Sequence, residues 1–194
     1  MSLREITGKA KVNLAAVNYH FFDKECLFRE VVLRRIRPLN AQRLALLEDA
    51  CAKAKPAPPS LDKIIGILAQ PLFDLHRSPD LGGRAFVHLL ARGLTESSAL
   101  TAQLLAEEYH PTLTRFGQVI RRHTPQLSPE DFLWRFSFVI GALHHTLATL
   151  HQMTNLTRGI CRSDDYEGAL SRFIGHGVTI FQDKRMQISV PTIS

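Results

Sequence analysis

The sequence predicts an all-α protein, and three observations carry that expectation. Val, Ile and Thr never alternate with polar residues for more than a few positions, so no half-buried strand is indicated. The chain contains no Asn-Gly or Asp-Gly pair of the kind that closes a two-residue hairpin. Helix start signals, by contrast, recur from one end to the other.

In order, Ser2 with Glu5 has the spacing of a capping box, in which hydroxyl and carboxylate each satisfy an orphan backbone amide. It opens a helix over residues 2–10. Asn13 and Asp23 are suited to cap the next two helices, 13–21 and 24–54. Ser60 opens 60–77, and two further helices follow over 80–96 and 98–123. Ser128 followed by Pro129 and Glu130 opens 129–152, and Ser163 or Asp164 with Glu167 opens 164–182. Pro38, Pro71 and Pro111 fall inside these spans, where a missing N–H is expected to kink or break each helix. The segment Ala52 to Ser60, AKAKPAPPS, reads as a stiff loop. Periodicity fades after Phe181, so residues 183–194 are expected to form a loose tail.

Composition and charge narrow the function classes. At 194 residues and 45% hydrophobic content the chain can bury a substantial core. It has no apolar run of membrane-spanning length and no signal-peptide pattern, so the expected location is the cytoplasm. Cys26, Cys51 and Cys161 are widely spaced and suggest neither a disulfide framework nor a zinc ribbon. Of the net charge of +6, most sits in front: residues 1–55 hold 11 Lys and Arg against 6 Asp and Glu, leaving 13 against 12 for residues 56–194. A basic end on a balanced chain suits nucleic-acid binding, and equally suits a solvated basic face.

The front also carries a helix-turn-helix pattern: two short helices joined by a three-residue turn, the second being the element that enters the DNA major groove. In that second helix Val12, Val17 and Phe21 form the inward stripe, leaving Ala15, Ala16, Asn18 and Tyr19 outside. Alanine methyls can meet thymine methyls and Asn can pair with adenine. Asn13 stands at the positive N-terminus of the helix, and Tyr19, His20, Lys24 and the free amides opening the next helix can donate to phosphate oxygens.

On these residues the stretch SLREITGKAKVNLAAVNYHFFDKECLFREVV resembles the DNA-binding segment of the TetR family of transcriptional regulators. The match rests on Val12, Asn13, Ala16, Val17, Tyr19, His20, Phe21, Lys24, Glu25 and Leu27. Asn18 departs from it, standing where the family more often has Tyr. The resemblance implies a ligand-responsive regulator, a repressor released from a palindromic double-stranded DNA operator by a small hydrophobic or aromatic inducer. It divides the chain into a helix-turn-helix segment, 1–30, a helical ligand-binding and dimerisation domain, 31–182, and the tail. It also implies an amphipathic helix ahead of Ser2, so a front beginning at Met1 is expected to be either an N-terminally shortened head or a weakened one. The alternative is a helical ligand-binding or interaction protein that does not bind DNA in this form.

For the back half, Phe86, His88, Phe116, Trp134, Phe138 and His145 are candidate inducer contacts, weighed against plain core packing. Gly141, Ala142, Ala148, Ala169 and Gly175 allow close helix approach and are candidates for a homodimer interface, which the resemblance places on the last two long helices. The basic run RRIRPLNAQR, Arg34 to Arg43, either continues the electrostatic footprint or forms a solvated face, the more usual role of Arg34, Arg35 and Arg37. His144, His145 and His151 lack HExxH spacing, so no metal and no other cofactor are expected. No GxSxG, P-loop or paired buried carboxylates appear, and no enzyme is expected.

Overall fold

A computed structural model of the chain describes residues 2–78, 82–93 and 99–183. Among them every regular element is helical: α1 Leu3–Ala10, α2 Leu14–Phe21, α3 Lys24–Ala54, α4 Leu61–Arg77, α5 Gly83–Gly93, α6 Ala99–Leu104, α7 His110–Arg121, α8 Pro129–Thr149, α9 Met153–Leu156 and α10 Tyr166–Gln182. A π-turn, Leu105–Tyr109, joins α6 to α7, and a 3-10 turn, Leu150–Gln152, follows α8. Residues 80–81 and 94–96 of the expected 80–96 helix, residue 98 of the expected 98–123 helix, and the expected tail beyond Asp183 lie outside the described residues.

Local chemistry sets the front boundaries. The Ser2 hydroxyl accepts from the Glu5 amide at 3.3 Å, and the Glu5 carboxylate accepts from the Ser2 amide at 2.5 Å. Asn13 Oδ1 accepts from Ala15 N at 2.8 Å, and Asp23 Oδ1 from Cys26 N at 2.7 Å. Between α1 and α2, Lys11 takes a left-handed φ of 53°, closing the first helix and turning the chain.

The body is built around α4. Ile64, Ile65, Leu68, Ala69 and Leu72 are fully buried there, and α4 packs on α3, α5, α7, α8 and α10 at once. A helix apolar on most of its circumference belongs at the centre of such an arrangement. Gly83 permits the tightest contact: a Cβ there would lie 1.6 Å from the Leu75 carbonyl oxygen, so α5 starts directly against α4. At the far end Arg135 of α8 donates through Nη1 to the carbonyls of Ile180 and Asp183, both at 2.8 Å. These bonds tie off the last turn of α10.

α3 and α4 run through Pro38 and Pro71 as continuous helices, close to the expected spans 24–54 and 60–77. Pro111 does mark a discontinuity, with the π-turn ending one residue before α7, where proline occupies the first turn and needs no donor. α10 starts at Tyr166 with Asp165 as its cap. Ser163 is instead bonded to Thr154, and Asp164 is paired with Arg162.

Candidate functional site: an exposed head and a buried cation

Asn13, Ala15, Ala16, Asn18, Tyr19, His20 and Lys24 are all exposed: Lys24 opens α3, and the other six are the cap and body of the eight-residue α2. That helix is about 12 Å long. The Asn13 carbonyl is occupied as a cap, leaving its amide nitrogen to donate outward. Tyr19 is 81% exposed and its ring meets His20 edge-on at 5.3 Å. The inward stripe is thinner than expected. Val17 and Phe21 are half-buried, Val12 is 50% exposed, and α2 buries no residue completely. Phe22, closing α2, holds φ 57° with its ring in solvent, a conformation costly for an aromatic residue.

The six candidate inducer contacts do not come together. Phe86 and Phe116 are buried core residues, and half-buried His88 faces the His151 ring at 5.4 Å. Trp134, Phe138 and His145 lie outside instead, because the inward stripe of α8 is Phe132, Arg135, Val139, Leu143 and His144. Trp134 and Phe138, 58% and 49% exposed, share the outer face of α8 with Gly141 and Ala142. Gly175 is exposed on α10, and Ala148 and Ala169 are half-buried. Among the described residues no His, Cys, Asp and Glu group is placed to hold a metal ion.

Several grooves open between the described helices. One, of about 510 Å³, lies between α7 and α8 and is lined chiefly by Leu113, Gly117, Phe132, Leu133 and Phe136. Another, of about 640 Å³, lies between α3 and α4, with Arg34, Arg35, Pro38 and Pro71 on its walls. Two more lie between α4 and α10, about 420 Å³, and between the end of α3 and α7, about 960 Å³.

A polar cluster inside the body went unread in the sequence. Arg43 of α3 is completely buried, and its Cζ lies 6.0 Å from the centroid of Tyr109. The Tyr109 hydroxyl is 3.0 Å from His144 Nε2, and His144 Nδ1 is 2.8 Å from the Ile140 carbonyl. A carbonyl can only accept, so the proton sits on Nδ1 and Nε2 accepts from Tyr109. Burial pushes His144 down to about 4, the bond to Ile140 working against it and the Arg43 charge with it. Burial likewise raises Tyr109 and lowers Arg43. Asn40 Nδ2 donates to the Glu108 carbonyl at 2.5 Å. The signal was periodic: Ile36, Asn40, Arg43, Leu47 and Ala50 are the buried stripe of α3, so a cation stands where the helix period calls for a hydrophobe.

The π-turn is also fastened to α3 from outside. Arg29 pairs with Glu107 at 2.8 Å and Arg37 with Glu108 at 2.7 Å, while Arg115 of α7 pairs with Glu48. Arg37 keeps a side chain that is 60% exposed while it forms its ion pair.

Together these features define a class: an all-helical protein whose small, exposed two-helix head is carried on a long helix that is itself part of a larger helical body. The body fixes the family. The family model described as tetracyclin repressor-like, C-terminal domain, matches residues 67–177, from mid-α4 into α10. That is more than half of the chain, and the protein belongs to the TetR family of regulators. No curated protein matches it.

Proposed function

We propose that the protein is a ligand-responsive, DNA-binding transcriptional regulator that acts as a homodimer, represses from a palindromic operator and is released by a small hydrophobic inducer. The observation that carries this reading is the exposure of all seven candidate DNA contacts, on α2, on its cap Asn13 and on Lys24 at the start of α3, beside a family-matched body. Two such helices related by a two-fold axis would read successive major grooves of a palindrome. The outer face of α8, with Trp134, Phe138, Gly141 and Ala142, and the small residues of α10 form the dimer surface in this reading. Inducer binding in the body favours a population in which the reading helices no longer match the groove spacing.

No helix among the described residues is long and apolar enough to cross a membrane, and a cytoplasmic location follows from the DNA-binding role proposed. The second reading, a helical ligand-binding or interaction protein without DNA affinity, draws on the shallow anchoring of α2, which buries no residue. Binding to the gene's own upstream DNA, titrated with salt, separates the two. A regulator shows affinity falling steeply with salt and a surplus for one palindrome. Absence of sequence preference at every salt concentration favours the second reading.

A further inference from the structure

Arg43 holds a full positive charge inside an apolar helix face. A guanidinium does not shed its proton at any ordinary pH. Its side chain is 0% exposed, and none of Nε, Nη1 and Nη2 has a hydrogen-bond partner. Tyr109 favours the charge through its ring, 6.0 Å from Cζ, and through its oxygen, although no guanidinium N–H meets that oxygen with hydrogen-bond geometry. Tyr109, His144 and Asn40 are neutral, and no carboxylate among the described residues pairs with Arg43. Asn40 Oδ1, one turn away on the same stripe, is a second buried orphan, this time an acceptor. Buried charges are otherwise paired, because an uncompensated one is among the most costly features a fold can contain.

We propose that Arg43 is the anchor for an anionic ligand, an amphiphilic carboxylate whose headgroup accepts the orphaned guanidinium N–H groups while its apolar body packs among the surrounding aliphatic side chains. Asn40 Oδ1 takes a hydroxyl or N–H of the same ligand where one is present. A planar carboxylate matches the guanidinium fork with two parallel hydrogen bonds. The inference rests on the regulator reading and names the chemistry of its inducer.

The way in is the π-turn Leu105–Tyr109, which packs on α3 and contributes Tyr109 to the cluster. An extra residue per turn marks a locally weakened helix, and such turns gather at functional sites. Its outer fastenings are two ion pairs, Arg29–Glu107 with both partners partly exposed and Arg37–Glu108 with Glu108 only 18% exposed; the first contributes little and the second is the firmer hold. Displacing the turn releases both and exposes the cation to the incoming carboxylate. Arg29, Arg37, Asn40 and Arg43 all belong to the helix that carries the head, so the same displacement changes what holds α3 in place.

The test uses the full chain and four probes: benzoate and octanoate, with benzamide and octanamide as uncharged counterparts of the same shape. Thermal unfolding is followed for the wild type, Arg43→Met and Arg43→Gln. Expected is a rise in Tm that grows with carboxylate concentration and is absent with the amides. Arg43→Met should unfold at or above the wild-type Tm without ligand, since an apolar side chain replaces an unpaired charge. Both variants should lose the carboxylate response by about tenfold or more in concentration. The inference is overturned if neither carboxylate protects the wild type, if the amides protect equally, or if Arg43→Met is clearly less stable unliganded, which would mean the protein already satisfies the guanidinium. DNA binding of the same wild-type preparation keeps the two readings apart. Sequence-specific DNA binding without a carboxylate response removes the anion site alone. A carboxylate response without DNA binding supports the anion site and removes the regulator reading.

Discussion

Acid should loosen the body through His144, and the size of the effect can be worked out. His144 is buried, carries its proton on Nδ1 toward Ile140 and accepts from Tyr109 on Nε2, with Arg43 as the charged neighbour. A second proton would displace the Tyr109 bond and place two cations in one apolar cluster. Its folded pKa is lowered to about 4 from 6.5, so the unfolded chain binds the proton first as pH falls and stability is lost through that window. The whole interval from 6.5 to about 4 corresponds to about 3 kcal/mol. Between pH 7.5 and pH 4.5 roughly 2–3 kcal/mol of it is felt, or about 5–10 °C in Tm for a chain of this size. The assay is urea unfolding across that pH range for the wild type and His144→Gln, in which the amide oxygen can still accept from Tyr109 without titrating. The wild type should lose the larger amount, and the difference between the two profiles isolates His144 from carboxylates and from His76, which burial also lowers to about 4. Parallel profiles would refute the reasoning.

Other perturbations have defined directions. Arg135→Met removes the donor to Ile180 and Asp183, leaving last-turn carbonyls of α10 without it. A loss of about 2–4 kcal/mol in urea unfolding is expected, and an unchanged midpoint would contradict it. Gly83→Ala reverses the usual helix ranking. Alanine should gain about 1 kcal/mol by propensity, yet its Cβ would lie 1.6 Å from the Leu75 carbonyl. A net loss of at least roughly 1–3 kcal/mol is therefore expected by chemical denaturation, with a stabilised variant as the contrary result. Trp134→Glu with Phe138→Glu alters exposed side chains only. It should leave far-ultraviolet circular dichroism intact while shifting sedimentation from dimer to monomer at micromolar concentration; a dimer that persists removes the proposed interface.

Much of the fold was legible because its determinants are local. Ser2, Asn13 and Asp23 bond to amides two or three residues on, and such caps can be read from spacing alone. The spans of α3 and α4 were legible across Pro38 and Pro71, whereas the π-turn ahead of Pro111 was not, since a proline alone does not say whether a helix runs on or changes its winding. Ser163 and Asp164 show the same limit: each had the right residue type for a cap, but Thr154 and Arg162 claimed them first. In the body, aromatic content pointed to the core without distinguishing its faces. Phe116 and Trp134 look alike as sequence, and only the phase of each one's own helix, α7 for Phe116 and α8 for Trp134, puts one inside and the other out. Arg43 was the missed residue for the opposite reason: it stood in a basic run read for its charge, when its position on the inward stripe mattered more.

The central claim is that the exposed head of this TetR-family chain reads DNA. Its most direct test is binding of the full-length protein to labelled fragments of the gene's upstream region over a range of salt, with Tyr19→Ala as the control on α2. The account predicts one palindromic segment bound about 10³-fold or more tighter than unrelated DNA, affinity falling steeply with salt, and a marked loss with Tyr19→Ala. Equal affinity for every fragment at every salt, unchanged by Tyr19→Ala, would contradict it.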